Sequence, residues 1–565
     1  MKPPLGALGR TYRHIHRYRE IIGTLIKYGF QDVVEELNLR YYFELGKSVL
    51  MMRPAEHIDG VARAARVRMI IEELGTTFIK FGQIMSTRPD LMPADLIHEL
   101  KKLQDEVPPF PTEAAVKLIE QELTAPLATL FKEFDLTPIA SASIAQVYRA
   151  ILPDGTEVAV KVQRPEIQKT VEVDLEIMMN LARLAEAHLQ DMATLQPTAV
   201  VEEFTRVLDN EMDFYIEARN VERFAEQFAG STEVRAPRVF RDHCTRRILT
   251  LEFIHGTKIS DNAALHALGI DTTVIARIGA NAVLQQVFEF GFFHGDPHPG
   301  NLVVTGPTQV CFLDFGMMGR LDRRMQEDLA ALLVCIVRRD DTALTRAVLR
   351  IATNADDIGD LDKLTRSLAD FVDRHAYLPL DKLNVGEVLQ DLLDLLLRYR
   401  IKLPPEIYLL IKALVTIEGV GRALDPQFVF LQYVEPYVVR LVKRRHDPRR
   451  LLADANHTAL DFYHLLRDLP NELRMLLQFV RKGELKVNLE TRSMEPILRT
   501  WDRDANRMSF AIVIASLLVS SSIIVLAKVP PLWHDISVLG VVGFGVCMLM
   551  GVWLLLAIFT SGHMS

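Results

Sequence analysis

Asp296, Asn301 and Asp314 are the residues of this chain best placed by type and spacing to do chemistry. They fall within His294-Gly-Asp-Pro-His-Pro-Gly-Asn301 and Leu313-Asp314-Phe315-Gly316. Two carboxylates and a carboxamide are hard oxygen donors, the kind magnesium takes together with phosphate oxygens. Asn301 follows Asp296 by five residues, the interval of a loop that catalyses phosphoryl transfer. In that chemistry the first Asp sits near the attacking group, while the Asn and the second Asp hold magnesium against ATP phosphates. Asp296 is therefore the expected catalytic carboxylate, Asn301 and Asp314 the expected metal ligands, and ATP and Mg2+ the expected cofactors. The flanks agree. Leu302-Val-Val304, a Gly306-Pro307 turn and Val310-Cys-Phe-Leu313 predict a hairpin that delivers Asp314 from a strand end. A zinc site built on His294 and His298 is disfavoured, because nearby Cys311 belongs to an apolar strand with no CxxC or HExxH pattern.

Elements that would position this triad lie upstream, in the order a kinase small lobe requires. Ala140-Ser-Ala-Ser-Ile-Ala-Gln-Val-Tyr-Arg-Ala150 predicts a turn entering a strand. Pro153-Asp154-Gly155 is a turn, because Pro presets φ and Gly tolerates a positive one. Glu157-Val-Ala-Val-Lys161-Val162 is a β-branched strand that carries Lys161 toward the phosphates. The turn before the first strand departs from a Gly-rich phosphate loop. Ala142 and Ser143 carry Cβ atoms that restrict close backbone approach, which predicts altered nucleotide preference.

Glu211 is expected to position Lys161 or Lys80; as the partner of Lys161 it has Asp213 nearby and Glu202, Glu203 and Glu217 as rivals. It sits on a helix predicted over 199–213 from Val200, Phe204, Val207, Leu208 and Met212. Residues 166–190 read as an inserted or extended helix between Lys161 and that acid. Glu252 and Ile254, in Leu249-Thr-Leu-Glu-Phe-Ile-His-Gly256, mark the expected hinge where backbone groups would meet adenine. Phe78-Ile-Lys-Phe-Gly-Gln-Ile-Met85 predicts a helix with Lys80 and Gln83 on one face.

The C-terminal end has a different composition. Residues 509–527 and 536–559 are uncharged and apolar. Each is long enough to cross a hydrocarbon core, which takes about 20 helical residues. The connector carries Lys528, Trp533, His534 and Asp535, whereas Arg499, Arg503 and Arg507 precede the first run. By the positive-inside rule the large N-terminal part is cytoplasmic. The hairpin and the lack of a presequence make a bacterial inner membrane, crossed twice, the expected location, with an organelle membrane as the alternative. A further cluster of Arg440, Lys443, Arg444, Arg445, Arg449 and Arg450 suits either anionic headgroups or a solvated helix face. A net charge of −8 argues against nucleic acid as a partner. Four scattered cysteines form no disulfide framework. Met1 to Gly29 is basic without a long apolar run, so no cleaved secretory signal is expected.

Taken in order, these motifs resemble the UbiB/ADCK family of atypical protein-kinase-like proteins, over about Leu74 to Asp425. The resemblance is carried by Lys80-Phe-Gly-Gln83, the Ala-rich turn with Ala142 and Ser143, Lys161, Glu211 and Asp213, the His294–Asn301 loop, Asp314-Phe-Gly316, and Leu403-Pro-Pro-Glu406 to Gly421-Arg422. It implies ATP and magnesium binding. It also implies an N-terminal extension that carries Lys80 and Gln83 into the site against protein substrates, with Asp213 also in a regulatory position. ATPase activity and support of ubiquinone biosynthesis at the membrane follow from the same resemblance. The implied partners are membrane lipids, isoprenoid quinone precursors and quinone-biosynthesis enzymes. A homodimer is left open.

The expected fold class is α+β, a mostly helical two-lobe kinase-like fold. Its divisions are a helical extension (1–125), a small lobe (126–253), a large helical lobe (254–480), a basic linker (481–507) and a two-helix transmembrane hairpin (508–565). Two rivals to a lipid-handling ATPase remain: a true protein or small-molecule kinase, and a non-enzymatic lipid-binding scaffold.

Overall fold

The computed structural model describes residues 5–37, 61–103, 109–188, 196–338, 340–355, 358, 360–376, 384–445, 494–533 and 536–561. The chain divides into two compact units, Met1–Leu452 and Ala453–Ser565.

The first unit opens with α1 (Leu5–Lys27), α2 (Gln31–Glu36), α3 (Arg63–Leu74), α4 (Thr76–Met85) and α5 (Ala94–Leu100). Gly75, at φ +87°, ends α3 and lets the chain restart as α4 in a new direction. The small lobe follows: α6 (Thr112–Leu123), α7 (Leu127–Leu130), β1 (Glu133–Phe134), β2 (Ala140–Ser141), β3 (Ala145–Ile151) and β4 (Glu157–Gln163). Val158, Val160 and Val162 alternate along β4 and are fully buried against Tyr148, Ile119 and Ile248. The two-residue period of the strand therefore puts Lys161 on the opposite face, toward the cleft.

Between β4 and the next strands lie three helices, α8 (Ile167–His188), α9 (Pro197–Met212) and α10 (Phe214–Gln227). The first is the inserted or extended helix read over 166–190, the second is the helix predicted over 199–213, and the two together form the insertion. Their apolar faces turn to the extension, and α9 meets the sheet at its end, where Gln163 Nε2 donates to the Met212 carbonyl at 2.9 Å. Val171, Ile177, Phe204 and Leu208 share a core with Ile21, Ile71, Leu74, Phe78 and Met85 of the extension. Each such buried side chain contributes about 1.5–3 kcal/mol, so extension and insertion stabilise each other. Arg17 reinforces the joint. Its Nε donates to the fully buried Asp174 of α8 at 2.7 Å, and its Nη2 to the Leu74 carbonyl at 2.7 Å.

The remaining elements are β5 (Val234–Arg235), β6 (Ile248–Glu252), β7 (Thr257–Lys258), α11 (Asn262–Ala267), α12 (Thr272–Gln285), β8 (Phe292–His294), β9 (Leu302–Gly306), β10 (Gln309–Phe312) and β11 (Met318–Arg320). Helices α13 (Arg323–Arg338), α14 (Asp341–Ile351), α15 (Leu361–Ala376), α16 (Val385–Arg398), α17 (Pro405–Leu424) and α18 (Phe430–Arg445) complete the large lobe. Among the described residues, one antiparallel sheet runs β1-β3-β4-β6, with β2 also on β3. A second runs β5-β10-β9-β7, and β8 pairs with β11. The predicted hairpin is β9–β10, with Asp314 two residues beyond its end.

In the second unit, helices Met494–Leu526 and Val538–Ser561 lie side by side and antiparallel. Gly540 abuts Val525, Gly543 abuts Ser521, and the Phe510 and Trp553 rings are 5.9 Å apart. Glycine and serine at the seam let the backbones approach closely. Among the described residues one helical stretch, Met508–Leu526, is long and apolar enough to span a membrane. The apolar stretch Val538–Trp553 of the second helix is shorter. The first helix begins at Met494, so the second half of the expected basic linker is helical. Arg449, Arg450, Arg481, Lys482, Lys486, His534 and Asp535 lie outside the described residues. Arg440, grouped by sequence with the headgroup candidates, is instead held on the large lobe. It meets Glu289 at 3.2 Å and the Tyr437 ring at 4.3 Å.

Candidate active site

Lys161 and Asp314 approach from opposite lobes, and α10 joins them. Lys161 Nζ donates to both carboxylate oxygens of Glu217, each at 2.9 Å, and lies 5.4 Å from the Phe214 ring centre. Glu217, Asn220 and Phe224 share one face of α10. Asn220 Nδ2 donates to the Phe315 carbonyl at 3.0 Å, and the Phe224 and Phe315 rings meet at 5.0 Å. The helix that holds Lys161 therefore also holds the segment that presents Asp314.

Of the two lysines expected for Glu211, the structure pairs it with Lys80, and the expectation that it pairs with Lys161 is corrected. The partner of Lys161 is Glu217, one of the named rivals. The chain breaks at Asp213 (φ −100°, ψ 95°), so Glu211 ends α9 while Glu217 opens the next helix. Glu211 instead forms an ion pair with Lys80 of α4. Asp213 caps α10: its Oδ1 accepts from Tyr215 N at 3.0 Å, and its Oδ2 lies 3.4 Å from Arg246 Nε. The apolar spacing Phe214, Ala218, Val221 and Phe224 is the signal that could have identified the second helix.

The charged groups of the cleft set one another's protonation. Burial disfavours the Asp314 carboxylate, but Lys161, the Gly316 N–H, His294 and Lys80 outweigh it and hold the group at about 2. Burial also opposes the Lys161 ammonium. Glu217, Asp314 and Glu211 reverse this and raise it above the ordinary lysine value. Glu217 is pushed up by burial, with Asp314 and Glu211 adding repulsion against the pull of Lys161. Lys80, from the extension, is thus close enough to act on Asp314. Gln83 lies on the same short helix.

The catalytic loop is folded around His294. This buried ring has its Nε2 on the Asp314 carbonyl, and its Nδ1 accepts from Asp296 N at 3.1 Å. Burial lowers its pKa against the opposing pull of Asp314, and a neutral ring is required if Nδ1 is to accept. Gln286 Oε1 accepts from His294 N at 2.8 Å. Asn301 Nδ2 donates to the Asp296 carbonyl at 3.3 Å. Asp296 itself is paired with Lys412 of α17 at 3.0 Å. His294, Gln286, Asn220 and Lys412 were not singled out as functional from sequence, because packing and not a spacing motif sets the contact each makes.

At the nucleotide edge, the Ala142 carbonyl accepts from Arg164 Nε at 3.2 Å, and Ser143 is buried. The Glu252 carboxylate is engaged by Arg235 at 2.6 Å and by Arg238 N at 3.1 Å. Its side chain is therefore a strand-end clamp rather than a nucleotide contact. Phe253 N is committed to the Glu157 carbonyl at 3.1 Å, and Ile254 follows in irregular chain.

The donor set at Asn301 and Asp314 fits magnesium. An ionised carboxylate and a carboxamide oxygen are hard ligands, and Mg2+ completes its shell with water and substrate phosphates rather than a protein cage. Asn301 and Asp314 would hold the ion, which when bound would neutralise phosphate charge.

A two-lobe kinase-like fold with a helical extension packed at its cleft defines an atypical member of the kinase-like class. Three family models match the chain in order: the ABC1 atypical kinase-like domain over residues 102–348, the UbiB helical domain over 368–429, and the ABC1/UbiB kinase-like C-terminal domain over 492–560. A protein of Clostridium pasteurianum, described only as an uncharacterized protein in the hydrogenase 1 5' region, is 32% identical over 97% of this chain and 99% of its own length. The "Probable protein kinase UbiB" of Aeromonas hydrophila is 32% identical over 96% of this chain and 99% of its own. The Mycobacterium tuberculosis Rv3197–erythromycin complex shares 22% identity, covering 63% of this chain and 90% of that one, at a TM-score of 0.43. The chain belongs to the ABC1/UbiB family of atypical kinase-like proteins.

Proposed function

We propose that this protein is a membrane-anchored, ATP- and Mg2+-dependent ATPase of the kinase-like class. On this reading it supports ubiquinone or related isoprenoid quinone biosynthesis by coupling nucleotide turnover to the handling of lipid precursors. The carrying observation is the paired arrangement in the cleft: Lys161 on Glu217 beside an ionised Asp314, with Lys80 of the extension on Glu211. Lys161 orients phosphate oxygens, Asn301 and Asp314 hold the metal, and Asp296 orients the attacking water. Phosphoryl transfer rests mainly on positioning and charge neutralisation, which these groups supply.

Two observations favour water over a protein as acceptor. The extension packs at the cleft where a substrate chain would enter. The chain also runs from Asp314 into β11 at Met318 and α13 at Arg323, leaving little chain for a substrate-docking segment. The anchor reading rests on Met508–Leu526 and on the arginines preceding it. It places the catalytic unit on the cytoplasmic side of a bacterial inner membrane, with the second apolar helix returning the chain. Membrane lipids, quinone precursors and quinone-biosynthesis enzymes are the corresponding partners.

The test is phosphate release from MgATP by the purified protein, with and without anionic liposomes, against Asp314→Asn. Turnover that rises with liposomes and vanishes in the variant supports the reading. Equal release by both proteins removes the ATPase. Transfer of phosphate to an added protein or small molecule in place of water would identify a true kinase, and the "protein kinase" in the relatives' names makes that the second reading. Quinone synthesis that survives Asp314→Asn in cells would leave a scaffold.

A further inference from the structure

Asp296 must be held in place to orient an attacking group, yet its own loop provides no cation to hold it. Between Asp296 and Asn301 the residues are Pro297, His298, Pro299 and Gly300. His298 Nδ1 is occupied in accepting from Gly300 N at 3.0 Å. Lys161 is committed to Glu217 and Lys80 to Glu211. The cation at Asp296 comes instead from α17, where Lys412 Nζ lies 3.0 Å from Asp296 Oδ2.

We propose that Lys412 is the positioning residue for Asp296, the cation that fixes the catalytic carboxylate in the cleft. This rests on the reading of the cleft as a phosphoryl-transfer site. The helix that carries it is anchored on several sides. Glu418 Oε2 accepts from Gly386 N at 2.6 Å and Oε1 from Val385 N at 3.1 Å, tying α17 to the start of α16. Leu409, one turn before Lys412, packs on the catalytic loop so closely that a Cβ at Gly295 would lie 2.6 Å from its Cδ1. Tyr408 receives the Arg88 guanidinium of the extension at 5.5 Å. Lys412 is therefore delivered to Asp296 by a rigid element.

Magnitude separates this role from a structural one. The two side chains are 32% and 31% exposed, and a pair so open to water contributes little to stability. Loss of position at a reacting centre costs far more in rate, up to about a hundredfold for a shift near 1 Å. The effect of Lys412 should therefore appear in turnover and not in folding.

The experiment compares wild type, Lys412→Gln, Lys412→Arg, Asp296→Asn and the Lys412→Gln/Asp296→Asn double variant. MgATP hydrolysis and thermal unfolding are measured on each full-length protein. Lys412→Gln should lower kcat about ten- to a hundredfold with KM for MgATP within about twofold. Lys412→Arg should keep kcat within about threefold of wild type, and Lys412→Gln should add nothing to Asp296→Asn, since a residue acting through another loses its effect once that one is gone. The proposal is overturned if Lys412→Gln turns over like wild type, raises KM alone, or slows Asp296→Asn further. If Lys412→Gln does not fold, a folded Lys412→Arg as slow as Asp296→Asn overturns it. Wild type without MgATP turnover refutes the phosphoryl-transfer reading itself, a distinct outcome that removes this proposal as well.

Discussion

Two lysine–glutamate pairs lie in the cleft, and they were built in different ways. Lys161–Glu217 belongs to the kinase-like core. A strand presents the lysine, the next core helix presents the acid, and that helix also grips the Asp314 segment. Lys80–Glu211 belongs to the extension and the insertion, which share their own apolar core. On the proposed reading, the first pair prepares the site for nucleotide. The second brings a further cation within electrostatic reach of Asp314 from outside the core fold. A kinase-like site can thus acquire an added control on its charge without altering the residues that do the chemistry.

The contrast can be broken most severely at Asp314. Asp314→Asn should reduce MgATP hydrolysis by about a thousandfold, read as phosphate release, because no neighbouring group replaces an ionised oxygen donor. Lys161→Met should cost about a hundredfold in kcat/KM while leaving the extension packed, as judged by limited proteolysis near α1. Equal losses from Lys161→Met and Lys80→Met would erase the distinction between the pairs.

The second pair is sharpened by a stability cycle. Lys80 and Glu211 side chains are 11% and 19% exposed, so removing one partner leaves a poorly solvated charge and should cost about 3 kcal/mol in denaturant unfolding. The Lys80→Met/Glu211→Gln double variant should recover more than half of that. Additive losses would show that the two do not act as a pair.

Acid unfolding separates the pairs differently. Asp314 titrates at about 2 in the fold, below the usual aspartate value, so its stabilising contribution is complete above pH 4 and disappears as pH falls through 2. By linkage this is worth about 2 kcal/mol. Asp314→Asn should flatten the loss of stability between pH 4 and pH 2, and identical slopes would show that Asp314 is not held by its cationic neighbours. The smallest effect is expected at the phosphate turn. Ala142→Gly should shift the ratio of ATP to ADP affinity several-fold by relieving the Cβ restriction, measured by calorimetry.

Local pattern made much of the core legible. Alternating valines fixed the inward face of β4 and hence the outward direction of Lys161. The turn at Gly306-Pro307 fixed the hairpin that leads to Asp314, and the long interval after Lys161 announced the inserted or extended helix α8. These features follow from backbone periods of 2 and 3.6 residues, which sequence displays directly. The choice among acids was different. Glu211 and Glu217 are six residues apart on helices that break at Asp213, and the orientation of each depends on what its helix packs against. Arg17 on Asp174, Asn220 on Phe315, and Lys412 on Asp296 join residues far apart in the chain. Sequence alone determined which groups were available for phosphoryl transfer and the local elements that carry them. Only the tertiary structure decided which charges meet, because desolvation and Coulomb attraction act through space and are set by how helices pack.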